Sequence, residues 1–189
     1  SACLVGSEMC IRDRFLEADA NFFARLEAVY AGLPAVYRAR AVVTSENIER
    51  LLAEHGVPAA FDLLSIDIDG NDYWVWAAIQ RWRPRVVVIE YNAAHRPPRR
   101  WVMAEDPGYQ WNGTNYYGAS LASLTALGRR KGYTLVGTDS LGVNAFFVLS
   151  ELVREEAFLD PVLHYHYTPP GFGAHAGGHP PGEGPFVEI

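Results

Sequence analysis

The sequence predicts an α/β domain built on a doubly wound, mostly parallel sheet. Three observations predict it. Strand-like and helix-like segments alternate through residues 14–131. Two stretches, residues 63–68 and 86–89, are nearly continuous in apolar residues, as strands covered on both faces are. A closing pair of strand-like segments, residues 133–136 and 144–149, is joined by a turn at 139–142 that is too short for a helical crossover, so one late strand is antiparallel.

The elements follow in order. Residues 14–17 form a short first strand. A helix at 19–30 carries Phe22, Phe23, Leu26 and Val29 or Tyr30 at helical spacing, and Gly32 and Pro34 end it. Residues 36–43 read as a strand with Arg38 and Arg40 on one side. Thr44 or Ser45 stands in place to cap a helix at 47–55, whose buried face is Ile48, Leu51 and Leu52; Gly56 stops it. Phe61 opens the central strand, and Asp67 and Asp69 emerge where that strand ends. Asn71 or Asp72 caps a helix bearing Trp74, Val75, Ala78 and Ile79. Pro84 separates it from a strand at 85–91, closed by Glu90, Tyr91 and Asn92. Residues 93–119 are irregular and rich in Pro, Arg, Trp, Tyr and Asn; so long a loop inside a compact domain is usually functional. Ser120 caps a helix ending at Lys131, with Leu121, Leu124 and Leu127 on its buried face. From Pro169 onward the Pro and Gly content predicts no regular structure.

Composition narrows the function. The chain has 189 residues, 49% of them apolar and 20% charged, which suits one domain with a substantial core and gives no sign of a second. A net charge of −6 argues against nucleic-acid or anionic-membrane partners. No apolar run approaches the ~18 residues of a membrane span, and no secretory signal is evident. Cys3 and Cys10 are the two cysteines, both near the N-terminus; a cysteine-free body fits a cytoplasmic protein.

In open α/β sheets the ligand lies outside the carboxyl ends of the strands. Asp67 and Asp69 stand at such an end and are the candidate catalytic pair, with Asp67 the better placed base for a hydroxyl nucleophile. Glu90 and Asn92, at the neighbouring strand end, complete a polar cluster. Trp111, Asn112, Asn115, Tyr116 and Tyr117 offer stacking faces and hydrogen-bonding groups for a hydroxylated acceptor. Asp67, Asp69 and Glu90 are also hard oxygen ligands of the kind Mg²⁺ takes, but capping and hydrogen bonding account for them without an ion, and no metal is predicted. His164, His166, His175 and His179 give no clean ligand set, because Gly177, Gly178 and Pro180 forbid the helix that would align the last two.

Three segments carry a resemblance: FDLLSIDIDGNDYWVW at 61–76, RVVVIEYN at 85–92, and NYYGASLASLTALGRRKGYTLVGTDSLGVNAFF at 115–147. They resemble FkbM-type methyltransferases, a branch of the class I S-adenosylmethionine-dependent enzymes with a Rossmann-like sheet. The resemblance spans residues 15–150 and is most specific at residues 67–72 and 118–121. It implies the strand order 3-2-1-4-5-7-6 with strand 7 antiparallel, S-adenosylmethionine as cofactor, and methyl transfer to a hydroxyl of a sugar or small metabolite. It further implies that Glu17 ends strand 2 and accepts hydrogen bonds from the cofactor's ribose hydroxyls, with Asp67 beside the cofactor as well.

The front of the chain departs from that family. Only 16 residues precede Glu17, with no Gly-x-Gly among them. Residues 2–5 mimic a strand, but residues 6–14 are too few for a helical crossover. Residues 1–14 also resemble translated sequencing-adapter text. The expectation is therefore a non-native leader at 1–14 and a gene cut at its 5′ end, with the first strand and Gly-rich loop missing and activity in doubt. A methyltransferase-like domain follows at 15–150, with an extension at 151–189. Two other functions compete. Asp67-Ile68-Asp69 is an Asp-x-Asp of the type that holds Mn²⁺ and a nucleotide diphosphate in glycosyltransferases. A degenerate domain without cofactor is the third reading. An acid at position 17 favours the methyltransferase.

Overall fold

The structure, a computed structural model, describes residues 2–6 (as backbone), 12–154, 166–173 and 177–189. Seven strands form one sheet: β1 (Ala2–Gly6), β2 (Asp13–Glu17), β3 (Val36–Arg40), β4 (Ala60–Ile66), β5 (Arg83–Glu90), β7 (Tyr133–Thr138) and β8 (Asn144–Leu149). Their order across the sheet is β3-β2-β1-β4-β5-β8-β7. Four helices accompany them among the described residues: α1 (Ala20–Tyr30), α2 (Ile48–Glu54), α3 (Asp72–Ala78) and α4 (Leu121–Lys131). A separate ribbon pairs β6 (Val102–Met103) with β9 (Phe186–Val187). No helix among the described residues is long and apolar enough to cross a membrane.

The spatial order is the expected 3-2-1-4-5-7-6, and β8 runs antiparallel to both β5 and β7. β1 fills the central slot, but it runs antiparallel to both β2 and β4. The short link between β1 and β2 explains the direction, since antiparallel neighbours accept a tight connection and parallel ones need a crossover of about a dozen residues. The sheet is therefore mixed rather than mostly parallel. Residues 1 and 7–11 of the expected leader, including Cys10, lie outside the described residues.

Reversal of β1 leaves its neighbours parallel to each other. Phe15 of β2 and Ser65 of β4 both pair with Leu4. Two residues further on, Glu17 and Asp67 reach the same level of the same rim.

Double winding is only partial. Along β4 and β5, Leu64, Ile66, Val87 and Ile89 are fully buried, while Leu63, Ser65, Val86 and Val88 between them are half-buried. The fully buried set packs with Ile48, Leu51 and Leu52 of α2, Val75 and Trp76 of α3, and Leu121, Leu124 and Leu127 of α4. Trp76 closes this face against Tyr133 and Phe147, and a Cβ on Gly128 would stand 2.9 Å from the Phe147 ring. On the other face α1 meets β2 and β3, with Tyr30 stacked on Phe15. No residue of α1 is fully buried, and Phe22 and Val29 are 54% and 72% exposed, so its predicted apolar face is only part covered.

Local chemistry explains most boundaries. Asp19 caps α1 by accepting from the N–H groups of Asn21 and Phe22, and Ser120 caps α4 by accepting from that of Ser123. Gly132 ends α4 in the left-handed conformation. At α2 the prediction fails: Asn47, not Thr44 or Ser45, is the N-cap, and its side chain accepts from the Thr44 N–H and donates to the Val42 carbonyl. Those bonds bend residues 41–47 away from β3, which ends at Arg40 rather than residue 43. Pro84 lies inside β5, paired with Phe61, rather than ahead of it.

The irregular segment and the tail are built on each other. β6 and β9 pair, the Gly182 N–H donates to Asn115 Oδ1, and the Tyr116 hydroxyl donates to the Pro185 carbonyl. The tail thus gains a short strand that composition did not predict.

Candidate active site

The rim beyond β2 and β4 collects the acids. Glu17, the last residue of β2, is buried, and its Oε1 accepts from the Asp19 N–H at 2.8 Å. Beyond β4 the chain turns through residues 67–71. Asp69 takes a left-handed conformation with φ 59°, uncommon outside glycine and best tolerated by Asp and Asn. Asp72 holds this turn from behind. It is fully buried, and its two carboxylate oxygens accept from the N–H groups of Ile68 and Gly70, each at 3.0 Å. Gly70 is pressed beneath Tyr109, and its carbonyl accepts from the Gly118 N–H.

Asp67, Asp69 and Glu90 converge, each presenting a carboxylate oxygen within 4.8 Å of the others. They line a cavity of about 260 Å³ together with Trp111, Tyr117 and His179. No lysine or arginine stands among its described lining residues. Glu90 Oε2 is fully buried and has no hydrogen-bond partner. Burial pushes the Glu90 carboxyl well above its ordinary range, and the charges of Asp72, Asp67 and Asp69 push it further. Asp67 is raised by burial and by Asp69, with a smaller contribution from Glu17. Asp72 is pushed up to about 6, chiefly by burial, against the two N–H groups it accepts. The Tyr117 hydroxyl is raised by burial and by Glu90.

A second space adjoins the first. It is a cleft of about 540 Å³ running from Glu17, Ala18 and Asp19 past Phe22 and residues 41–43 to Ile68 and Asp69, with Tyr109 at its far wall. Asp69 borders both spaces. Much of the cleft wall is apolar and uncovered: Val42 is 61% exposed.

Residues 12–133 match the family described as the methyltransferase FkbM domain. The chain belongs to the FkbM methyltransferase family. No curated protein and no solved structure matches it. The match begins just ahead of β2 and ends at the first residue of β7, so it takes in both acidic strand ends of the FkbM domain.

Against that family frame, the sequence-predicted residues divide into two groups. Asp67, Asp69 and Glu90 meet at one cavity, and Glu17 shares their rim. Asn92, Asn115 and Tyr116 do not line the cavity. Asn92 is buried; its amide donates to the carbonyls of Asn115 and Tyr117, and its Oδ1 accepts from the Ala94 N–H. Asn115 and Tyr116 spend their polar atoms on the tail. All three hydrogen-bond within the loop or to the tail. Of the five loop residues expected to face an acceptor, Trp111 and Tyr117 line the cavity, in a segment where no period tells inward from outward residues. The sequence places His179 in no ligand set. It lies 4.6 Å from Trp111 and 5.0 Å from Phe172, ring to ring, and lines the cavity. The His-Pro turn at 179–180, ahead of Gly182 and Gly184, was its available signal, but only contacts distant in sequence place it. His164 and His175 lie outside the described residues.

Proposed function

We propose that this FkbM-family chain transfers a methyl group from S-adenosylmethionine to a hydroxyl of a sugar or other small hydroxylated metabolite. The observation that carries the reading is one rim holding two adjoining spaces, an acid-edged cleft and an acidic cavity, with Asp69 between them.

The cleft fits the cofactor's chemistry. Its volume of about 540 Å³ falls within the ~300–1,000 Å³ of ordinary ligand sites. Glu17 would accept hydrogen bonds from the ribose hydroxyls, while Phe22, Val42, Val43 and Ile68 offer apolar surface to a purine. Asp67 and Asp69 supply negative charge that favours a cation between the two spaces. S-adenosylmethionine, when bound, supplies a methyl group activated on a sulfonium: the acceptor oxygen gains the methyl carbon, and the sulfur keeps the electron pair of the broken bond.

The chain's own residues then have three tasks. Asp67 accepts the proton released by the hydroxyl, and burial together with Asp69 raises its pKa, which makes its carboxylate a stronger base. Glu90 and Tyr117 orient the acceptor by hydrogen bonds at the cavity floor. Trp111 and His179 form a wall against which a sugar ring stacks and from which water is excluded. Holding oxygen and methyl in line is the larger part of the work. In this reading residues 15–150 are the catalytic domain, the extension at 151–189 completes the acceptor pocket, and the protein works in the cytoplasm.

The test is incubation with methyl-labelled S-adenosylmethionine and a panel of sugars and polyols, alongside nucleotide-sugar binding. Label recovered as an ether in an acceptor, lost in Asp67→Ala, is the expected result. Saturable nucleotide-sugar binding with no label transfer would overturn it in favour of the Asp-x-Asp transferase.

A further inference from the structure

Three carboxylates drawn together in a partly enclosed space repel one another. Asp67, Asp69 and Glu90 come from two different strand ends, so their convergence is set by the fold rather than by chain proximity. The described lining carries no lysine or arginine. Glu90 Oε2 is the decisive atom. It is fully buried, it lacks any hydrogen-bond partner, and it belongs to a side chain that lines the cavity. Buried polar atoms are almost always satisfied, and an orphan of this kind marks a strain reservoir, a catalytic group, or an ion or water to be bound.

We propose that Asp67, Asp69 and Glu90 hold a hard divalent cation of the Mg²⁺, Mn²⁺ or Ca²⁺ type. Carboxylate oxygens are the ligands such ions take. Two oxygens on one ion stand no further apart than twice the metal–oxygen distance, ~4.2 Å for Mg²⁺ and ~4.6–5.2 Å for Ca²⁺. The three oxygens here lie within 4.8 Å of one another. They admit a Ca²⁺-sized ion directly, and side-chain rotation of a few tenths of an ångström closes them on Mg²⁺. Three protein ligands leave the remaining positions to water or to an acceptor oxygen, and the cavity of about 260 Å³ has room for both. The ion satisfies Glu90 and cancels the repulsion of the cluster. Its further role, binding the acceptor hydroxyl and lowering its pKa, rests on the methyl-transfer reading; the site itself does not.

The experiment is titration of the full chain, stripped with a chelator, with Mn²⁺ alone, reading free Mn²⁺ by electron paramagnetic resonance. Mg²⁺ and Ca²⁺ are then run as competitors, and S-adenosylhomocysteine binding is measured separately. One Mn²⁺ per chain at sub-millimolar affinity is expected, displaced by Mg²⁺ or Ca²⁺ and not by K⁺. Even outer-shell partners of a metal cost ~10–100-fold when lost, so Glu90→Gln and Asp69→Asn each weaken Mn²⁺ by at least ~10-fold. Both variants are near-isosteric, and Asn tolerates the backbone of position 69. Glu90→Gln, which lies outside the cleft, keeps its S-adenosylhomocysteine affinity. No Mn²⁺ bound by the folded chain at millimolar concentration would overturn the proposal. So would unchanged affinity in both variants, which marks surface binding only. Mn²⁺ bound with no S-adenosylhomocysteine bound would leave the cation site standing and remove the methyl-transfer reading.

Discussion

Gly70→Ala tests how tightly the acidic turn is clamped beneath the loop. A Cβ at Gly70 would lie 2.6 Å and 2.8 Å from two ring carbons of Tyr109 and 3.3 Å from the Met103 methyl. The ring has little freedom to retreat, because the Tyr109 hydroxyl donates to the Tyr116 carbonyl and the Gly70 carbonyl is itself tied to the Gly118 N–H. Overpacking of this kind costs ~1–3 kcal/mol. Gly70 is not left-handed, so alanine also recovers ~0.4–1 kcal/mol by restricting the unfolded chain. Taking the middle of each range, the net loss is about 1.3 kcal/mol. At ~2–4 °C per kcal/mol for a chain of this size, Tm falls by roughly 3–5 °C. The sign should reverse when the obstacle is removed: in a Tyr109→Ala background, Gly70→Ala should stabilise by ~0.4–1 kcal/mol. Urea denaturation of the four proteins in this double-mutant cycle is the assay. An equal effect of Gly70→Ala in both backgrounds would refute the clamp.

His95 and the tail give two more predictions. Burial, aided by the Arg99 charge, lowers His95 to about 4, below the ~6.5 of an unfolded histidine. A depressed histidine contributes stability that is complete above the unfolded pKa and is lost as pH falls from about 6.5 toward 4. Because the ring is partly exposed, the loss is set at about 1 kcal/mol rather than the full conversion of the shift. His95→Phe, which keeps the stack on Trp101, should remove that part of the acid sensitivity; identical midpoints against pH in the two proteins would contradict it. Gly184→Ala would put a Cβ 2.2 Å from the Tyr116 ring, which the Pro185 carbonyl holds in place. It should release residues 179–187, seen as faster amide exchange at Phe186 and Val187 with little change in core stability. Unchanged exchange there would show that the tail docks some other way.

What was legible in the sequence is what depends on local chemistry. The apolar runs of β4 and β5, the cap at Ser120 and the turn at Asp139 all follow from residues near in the chain. The two acidic strand ends followed from strand direction alone. What was not legible depends on long-range placement. The place of β1 in the sheet is fixed by pairing with β4 about sixty residues on. The exposed face of α1 reflects how little packs over β2 and β3, which helical spacing cannot report. Within residues 93–119, Asn115 and Tyr116 differ from Tyr117 only in which way the chain turns, and the tail that decides it arrives from residues 180–187. His179 reached the cavity by the same route.

The central claim is that Glu17 and the Asp67 turn form one cofactor rim, and calorimetric titration with S-adenosylhomocysteine tests it most directly. The account predicts saturable one-to-one binding by the folded chain. Hydrogen bonds to a charged group are worth ~1.5–3 kcal/mol, so Glu17→Ala should weaken that binding roughly 10–150-fold. No detectable binding by the folded chain, or an affinity untouched by Glu17→Ala, would contradict it.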